Sequence, residues 1–144
     1  GQGAAGGEDP VGVVEADVRD EEAVAKAARS VDYIVHLAAL GSVERSVKDP
    51  MATNDVNLNG TLAVLNAARK WKKGVQRVIY ASSSSVYGDT PTLPKSESMR
   101  PQPMSPYAVS KLTGEHYCHA YHENYGVEAV ALRGVEPGLR ILQV

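Results

Sequence analysis

The chain has no phenylalanine and a single cysteine, Cys118, among its 144 residues. One thiol excludes an internal disulfide, and nothing in the composition asks for an oxidising compartment. No apolar run approaches the roughly 20 residues of a membrane span. The start, Gly1 to Gly7, is small and polar, without the basic-then-apolar order of a secretory leader. There is no basic block and the formal net charge is −2, which argues against a nucleic-acid partner. No internal repeat and no domain linker interrupts the chain. These absences leave a soluble, cytoplasmic protein that is one domain or a piece of one. The missing phenylalanine has no account. What is present is ordinary: 43% hydrophobic and 22% charged residues, enough for a core and too apolar for disorder.

Along the chain, Gly1 to Pro10 reads as a Gly-rich loop, and Val11 to Asp17 as a short strand. Asp20 is placed to cap a helix carrying Ala23, Val24, Ala27 and Ala28 at helical spacing. Asp32 to Ala39 has the β-branched content of a buried strand. Leu40 to Asp49 reads as a loop. Asp49 then caps a long helix with Pro50 at its first position, a face of Ala52, Val56, Ala63 and Ala67, and basic residues in its last turn before an αL cap at Gly74. Gln76 to Ser83 is the third strand and Thr90 to Pro106 a Pro-rich loop. Ser105 caps a helix that runs to about Tyr125 and ends at Gly126, before a fourth strand, Val127 to Arg133. Strand and helix alternate, which predicts an α/β fold: a parallel sheet with helices on both faces.

The chemistry concentrates between Tyr80 and Lys111. Four serines, Ser82 to Ser85, follow an apolar strand, and the C-terminal ends of strands are where open α/β sheets bind ligands. Tyr107 and Lys111 are one helical turn apart, on one face. A phenol is a poor base at neutral pH, but a neighbouring ammonium and the positive end of a helix both favour the phenolate. Such a tyrosine suits proton removal from an alcohol while hydride leaves for a nicotinamide. On its own the Tyr-x-x-x-Lys spacing is common in any amphipathic helix.

His116, His119 and His122 recur every three residues around Cys118, but threes drift by about 60° a step on a helix, so they share no face well. They read as a partly exposed helix. His36, inside a strand, reads as a packed histidine. Trp71 with its neighbouring lysines, and Glu21-Glu22, read as solvated helix ends.

Six segments resemble, in order, the extended short-chain dehydrogenase/reductase family, and within it the NAD-dependent nucleotide-sugar 4-epimerases. They are Glu15 to Asp20, Val35 to Leu40, Asn57 to Thr61, Ala81 to Asp89, Ser105 to Lys111 and Ala131 to Arg133. The resemblance covers residues 11–133 and leaves 134–144 as a divergent tail. It implies a partial Rossmann-type parallel sheet flanked by helices. It implies Tyr107 as the base, Lys111 as the residue that tunes it and holds the nicotinamide ribose, and Ser83 as the catalytic hydroxyl. For NAD it implies Asp17 and Val18 at the adenine, Leu37, Ala38 and Ala39 along the dinucleotide, and Asn57 and Ser82 on the cofactor side. For a UDP-sugar it implies Ser83, Ser84 and Ser85. Gly41-Ser42 resembles the branch acting on N-acetylated hexosamines and favours UDP-GlcNAc/UDP-GalNAc over UDP-glucose/UDP-galactose. The dehydratases of the family carry Thr-Asp-Glu where this chain has serines. Relatives pair through helices matching those that start near Met51 and Ser105, which implies a homodimer.

The resemblance also marks departures. The family's Gly-x-x-Gly-x-x-Gly turn has no counterpart here, and Gly1 to Gly7 follows no apolar strand. After Arg133 the chain leaves the family pattern, as a frameshift or gene fragment would. The expectation is therefore a sheet without its first βαβ unit and without a C-terminal substrate domain, with an apolar strand edge left open. An inactive fragment is the expected state; the alternatives are a dehydratase or decarboxylase of the same family, or a non-catalytic fragment with no ligand.

Overall fold

The computed structural model describes residues 12–134. The Gly-rich start through Val11 and the tail from Val135 lie outside the described residues. Three parallel strands form one sheet in chain order: β1 (Tyr33–His36), β2 (Arg77–Ala81) and β3 (Ala129–Leu132). Ile34 pairs with Val78, and Tyr80 with Ala131.

The helices follow their caps. The Asp20 carboxylate accepts from the Ala23 amide at 3.0 Å and opens α1 (Glu21–Ala27). Asp49 opens α3 (Pro50–Asn54), with Pro50 where its missing N–H costs nothing. One wide turn of π type, Asp55–Asn59, joins α3 to α4 (Gly60–Lys70). Ser105 accepts from the Ala108 amide and opens α5 (Pro106–Tyr125), which Gly126 closes at φ 67°.

Four expectations are corrected. Gly12–Asp17 is not a strand: it joins no ladder, and Val13 and Val14 are exposed. Strand geometry is held by a partner's hydrogen bonds, and none of the described strands offers them here. The segment read as a loop, Leu40 to Asp49, contains the six-residue α2 (Val43–Lys48), capped by Ser42 accepting from the Arg45 amide. Its valines face outwards, so no apolar stripe announces it. Gly74 is not an αL cap; α4 ends at Lys70, and a turn at Trp71 receives the Gly74 and Val75 amides.

The fourth correction concerns layers. Among the described residues the helices cover one face, not both. Val64, Leu65 and Ala68 of α4 and Cys118 of α5 pack with Val78 and Tyr80 of β2, and Ile34, Ala129 and Ala131 join the same core. Tyr33, Val35, Val130 and Leu132, of opposite parity, stay exposed. Right-handed crossovers that keep moving in one direction across a sheet lay their helices on one side. Here both the β1-to-β2 and β2-to-β3 crossovers move in one direction. Only a reversal of strand order would dress the other face. Among the described strands, β1 stands at one end of the sheet and pairs with β2 alone.

Among the described residues no helix is long and apolar enough to cross a membrane. The histidines at 116, 119 and 122 are exposed while Cys118 is buried in the core. No group of three or more metal-ligating side chains gathers among the described residues.

Candidate active site

Parallel strands bring their C-terminal ends to one edge. There the chain places Leu37 to Leu40 after β1, the serines after β2, and Arg133 after β3. The first two turns of α5 bring Tyr107 and Lys111.

Lys111 is the best-defined part of the site. It is only 4% exposed, and its Nζ donates to the Ala81 carbonyl at 2.8 Å. The ammonium lies 5.1 Å from the centre of the Tyr80 ring and 5.9 Å from that of Tyr107. Burial pulls Lys111 down to about 8, so it is still charged at neutral pH. Tyr107, half-buried, is the second residue of α5.

Ser83 caps the 3-10 turn Ser84–Tyr87. Its oxygen accepts from the Ser85 amide at 3.1 Å and the Ser85 hydroxyl at 2.9 Å. Both of its acceptor positions are thus engaged, which leaves its own O–H free to donate. Ser84 and Ser85 lie within the turn and are half-buried.

Asn57 sits in the π turn and is 2% exposed. Its Oδ1 accepts from the Leu40 amide at 2.8 Å and its Nδ2 donates to Ser110 Oγ at 2.9 Å. The amide therefore braces the loop after β1 against α5, next to Lys111. The Ser82 hydroxyl is likewise engaged inside the protein, donating to Glu115.

Leu37 and Ala38 lie exposed just past β1, with Ala39 half-buried. Gly41 is exposed and faces open space, while the Ser42 hydroxyl is held as the cap of α2. Asp17 and Val18 are not gathered with these residues. Both Asp17 oxygens receive Arg19, whose other end reaches Asp55. These bonds hold the Asp17 carboxyl down, at about 2. Val18 packs on Gly60, where an added Cβ would stand 2.6 Å from its Cγ1. Asp17 and Val18 line a largely apolar groove of about 380 Å³ along β1, bordered by Val24, Val31 and Ile34; none of Ser83, Tyr107 or Lys111 lines it.

Two further polar groups behind the site carry no signal in the Tyr-x-x-x-Lys spacing. Buried His36 joins Thr61 at 2.9 Å, and Thr61 donates to the Asn57 carbonyl at 2.6 Å. Thr61 therefore accepts from His36, which fixes the Nε2–H tautomer. Burial, and then the Lys111 charge, push His36 down to about 4 and keep it neutral. The other group is Glu115 with Arg133. Glu115 stands one turn beyond Lys111, the only trace the pair leaves in the sequence.

A family model described as the NAD dependent epimerase/dehydratase family matches residues 2–137. A UDP-glucose 4-epimerase of Mycolicibacterium smegmatis is 42% identical over 117 residues, covering 80% of this chain and 37% of that protein. A solved UDP-N-acetylglucosamine 4-epimerase from Methanobrevibacter ruminantium, in complex with UDP-N-acetylmuramic acid, is 39% identical with a TM-score of 0.77 over 83% of this chain and 38% of that one. The UDP-glucose 4-epimerase of Thermus thermophilus, solved in complex with NAD, is 40% identical with a TM-score of 0.75, over 82% of this chain and 39% of that one. The chain thus spans well under half the length of these relatives.

Proposed function

Because this chain belongs to the NAD dependent epimerase/dehydratase family, we propose that it carries the proton-transfer residues of an NAD-dependent nucleotide-sugar 4-epimerase. The observation that supports this most is the buried Lys111 ammonium, anchored on Ala81 one turn from Tyr107 at the C-terminal edge of a parallel sheet. An ammonium carries three donors, and the Ala81 carbonyl engages one of them. The others suit the hydroxyls of a ribose, and this donor set fits NAD.

Tyr107 takes the proton of the sugar 4-OH through its side-chain oxygen. The Lys111 ammonium, 5.9 Å from the centre of the Tyr107 ring, sets a positive charge beside it. The Ser83 O–H, left free by its two incoming bonds, donates to the same sugar oxygen. NAD, when bound, would supply hydride acceptance and donation at C4 of the sugar. On the return, Tyr107 gives the proton back. Ser84 and Ser85 border the sugar. Leu37, Ala38 and Ala39 line the dinucleotide, with Asp17 and Val18 towards its adenine. Asn57 and Ser82, whose side chains are engaged inside the protein, serve the cofactor by holding the loops that meet it.

UDP-GlcNAc/UDP-GalNAc is the favoured substrate pair: Gly41 leaves open space beside the loop after β1. The exposed Val43, Val47 and Met51, together with Val109 on α5, support a homodimer through the helices opening at Pro50 and Pro106.

The test is a chimera in which residues 12–134 replace the matched segment of the M. smegmatis relative. Epimerisation of UDP-GlcNAc or UDP-glucose is the expected product pattern. A 4-keto-6-deoxy product would make the chain a dehydratase, and binding of neither NAD nor UDP-sugar by a folded chimera would overturn the reading.

A further inference from the structure

The end of β2 is held from two sides by one acid–base pair. Glu115 and Lys111 stand one turn apart on α5, and each grips the strand end through its side chain. Lys111 takes the carbonyl of Ala81, and Glu115 takes the hydroxyl of the next residue, Ser82. The same Glu115 carboxylate receives Arg133 in a fork, Nε to Oε1 at 2.8 Å and Nη2 to Oε2 at 2.6 Å. Arg133 follows β3, and its guanidinium stacks 4.9 Å from the centre of the buried Tyr87 ring, in the turn that Ser83 caps. The Arg133 and Glu115 side chains are only 20% and 13% exposed.

This geometry is more than a surface ion pair. Burial alone pushes the Glu115 carboxyl up, but the hydrogen bonds from Arg133 and Ser82 outweigh it and the net direction is down. The carboxylate is thus ionised and fully directed, with Oε1 shared between Ser82 and Arg133. A fork of this kind fixes orientation as well as distance. It joins α5, the end of β2, the end of β3 and the turn after Ser83, which are the pieces that set Ser83 against Tyr107 and Lys111.

We propose that Glu115 and Arg133 are positioning residues, whose pairing fixes the Ser82–Ser83 strand end against α5 and so keeps Lys111 enclosed beside Tyr107. This rests on the reading of Ser83, Tyr107 and Lys111 as the reacting set, but it can be tested without any ligand. Glu115 acts through the backbone it holds, and its own charge has no direct part.

The experiment follows Lys111 in the whole chain by NMR of 13Cε-lysine across pH, in wild type and Glu115→Gln, with an NAD titration alongside. Glutamine keeps an acceptor for Ser82 but loses the charged fork. The expected result is that the Lys111 midpoint rises by about one pH unit as water reaches it. An unchanged midpoint, even with a lower melting temperature, would make the pair structural only and overturn the inference. A fall would report direct loss of a nearby anion and would overturn it as well. Should Glu115→Gln fail to fold, Arg133→Lys, which keeps the charge and loses the fork, is read in the same way. A raised midpoint in a chain that takes up no NAD would sustain the positioning role and count against the cofactor reading; an unmoved midpoint with NAD bound would do the reverse.

Discussion

Lys111 donates to the carbonyl of Ala81 at 2.8 Å, so the helix that presents Tyr107 is fastened to the strand end that presents Ser83. The bond buries an ammonium, and burial holds it near 8 against 10.5 for a free lysine. Between those values the unfolded chain binds the extra proton, so stability rises with pH across the window; below about 8 the full cost of the buried charge remains. We expect the stability of wild type to gain on that of Lys111→Met between pH 8 and 10.5 by on the order of 3 kcal/mol. Urea titrations of both proteins at several pH values measure it; a constant difference would refute it.

Tyr107→Phe should leave the fold intact, because the ring remains and only the proton-carrying oxygen goes. Turnover of the chimera should fall by about 10²–10⁴-fold, the range that general acid–base catalysis supplies. Steady-state rates with NAD binding measured in parallel decide it: retained turnover removes Tyr107 as the base.

His36 works in the opposite pH range. It is buried neutral, with its value lowered to about 4 by burial and then by Lys111. A lowered value means stability is present above the free-histidine value of 6.5 and is lost as pH falls through 4. His36→Gln keeps a donor for Thr61 and does not titrate. Its thermal midpoint should therefore fall less steeply than that of wild type between pH 6.5 and 4, and scanning calorimetry over that range reads the slope.

Gly114 lies against the Tyr80 phenol so closely that an added Cβ would run into the hydroxyl and the ring. Tyr80 is buried and also donates to the Lys111 carbonyl at 3.4 Å, so neither partner has room to retreat. Gly114→Ala should cost about 1–3 kcal/mol, the usual range for overpacking. Adding Tyr80→Phe should restore only part of it, since the ring stays in the way. Denaturation midpoints of the single and double variants test both statements.

Much of this arrangement is legible from local chemistry. Asp20, Asp49 and Ser105 each announce a helix start, and each caps the helix it was expected to cap. The apolar runs at Ile34, Val78 and Val130 give the three strands. What stayed hidden depends on partners distant in the chain. Thr53, Asn57 and Thr61 recur every four residues and are all buried, yet their residue types suggest a solvated stripe. Only the π turn, with His36, Leu40 and Ser110 around it, gives Asn57 and Thr61 their bonds. The Glu115–Arg133 fork spans 18 residues and two elements, so periodicity has nothing to say of it. Gly12–Asp17 shows the reverse: an apolar run with strand composition does not become a strand without a neighbour to hydrogen-bond with. The expected roles of individual residues towards NAD and UDP-sugar rest on resemblance, and the experiments above are what bear on them.

β3 is the last of the described elements, and the serine end of β2 leans on it through backbone as well as side chain. The Ser82 amide bonds to the Leu132 carbonyl and the Ser84 amide to that of Gly134. During synthesis, Ser83, Tyr107 and Lys111 all leave the ribosome before those two carbonyls do. A nascent chain ending between residues 111 and 134 therefore holds all three residues proposed to react and cannot yet lock its strand end. Acquisition of the site is timed by the emergence of residues 129–134, some twenty residues after its last chemical member has been made.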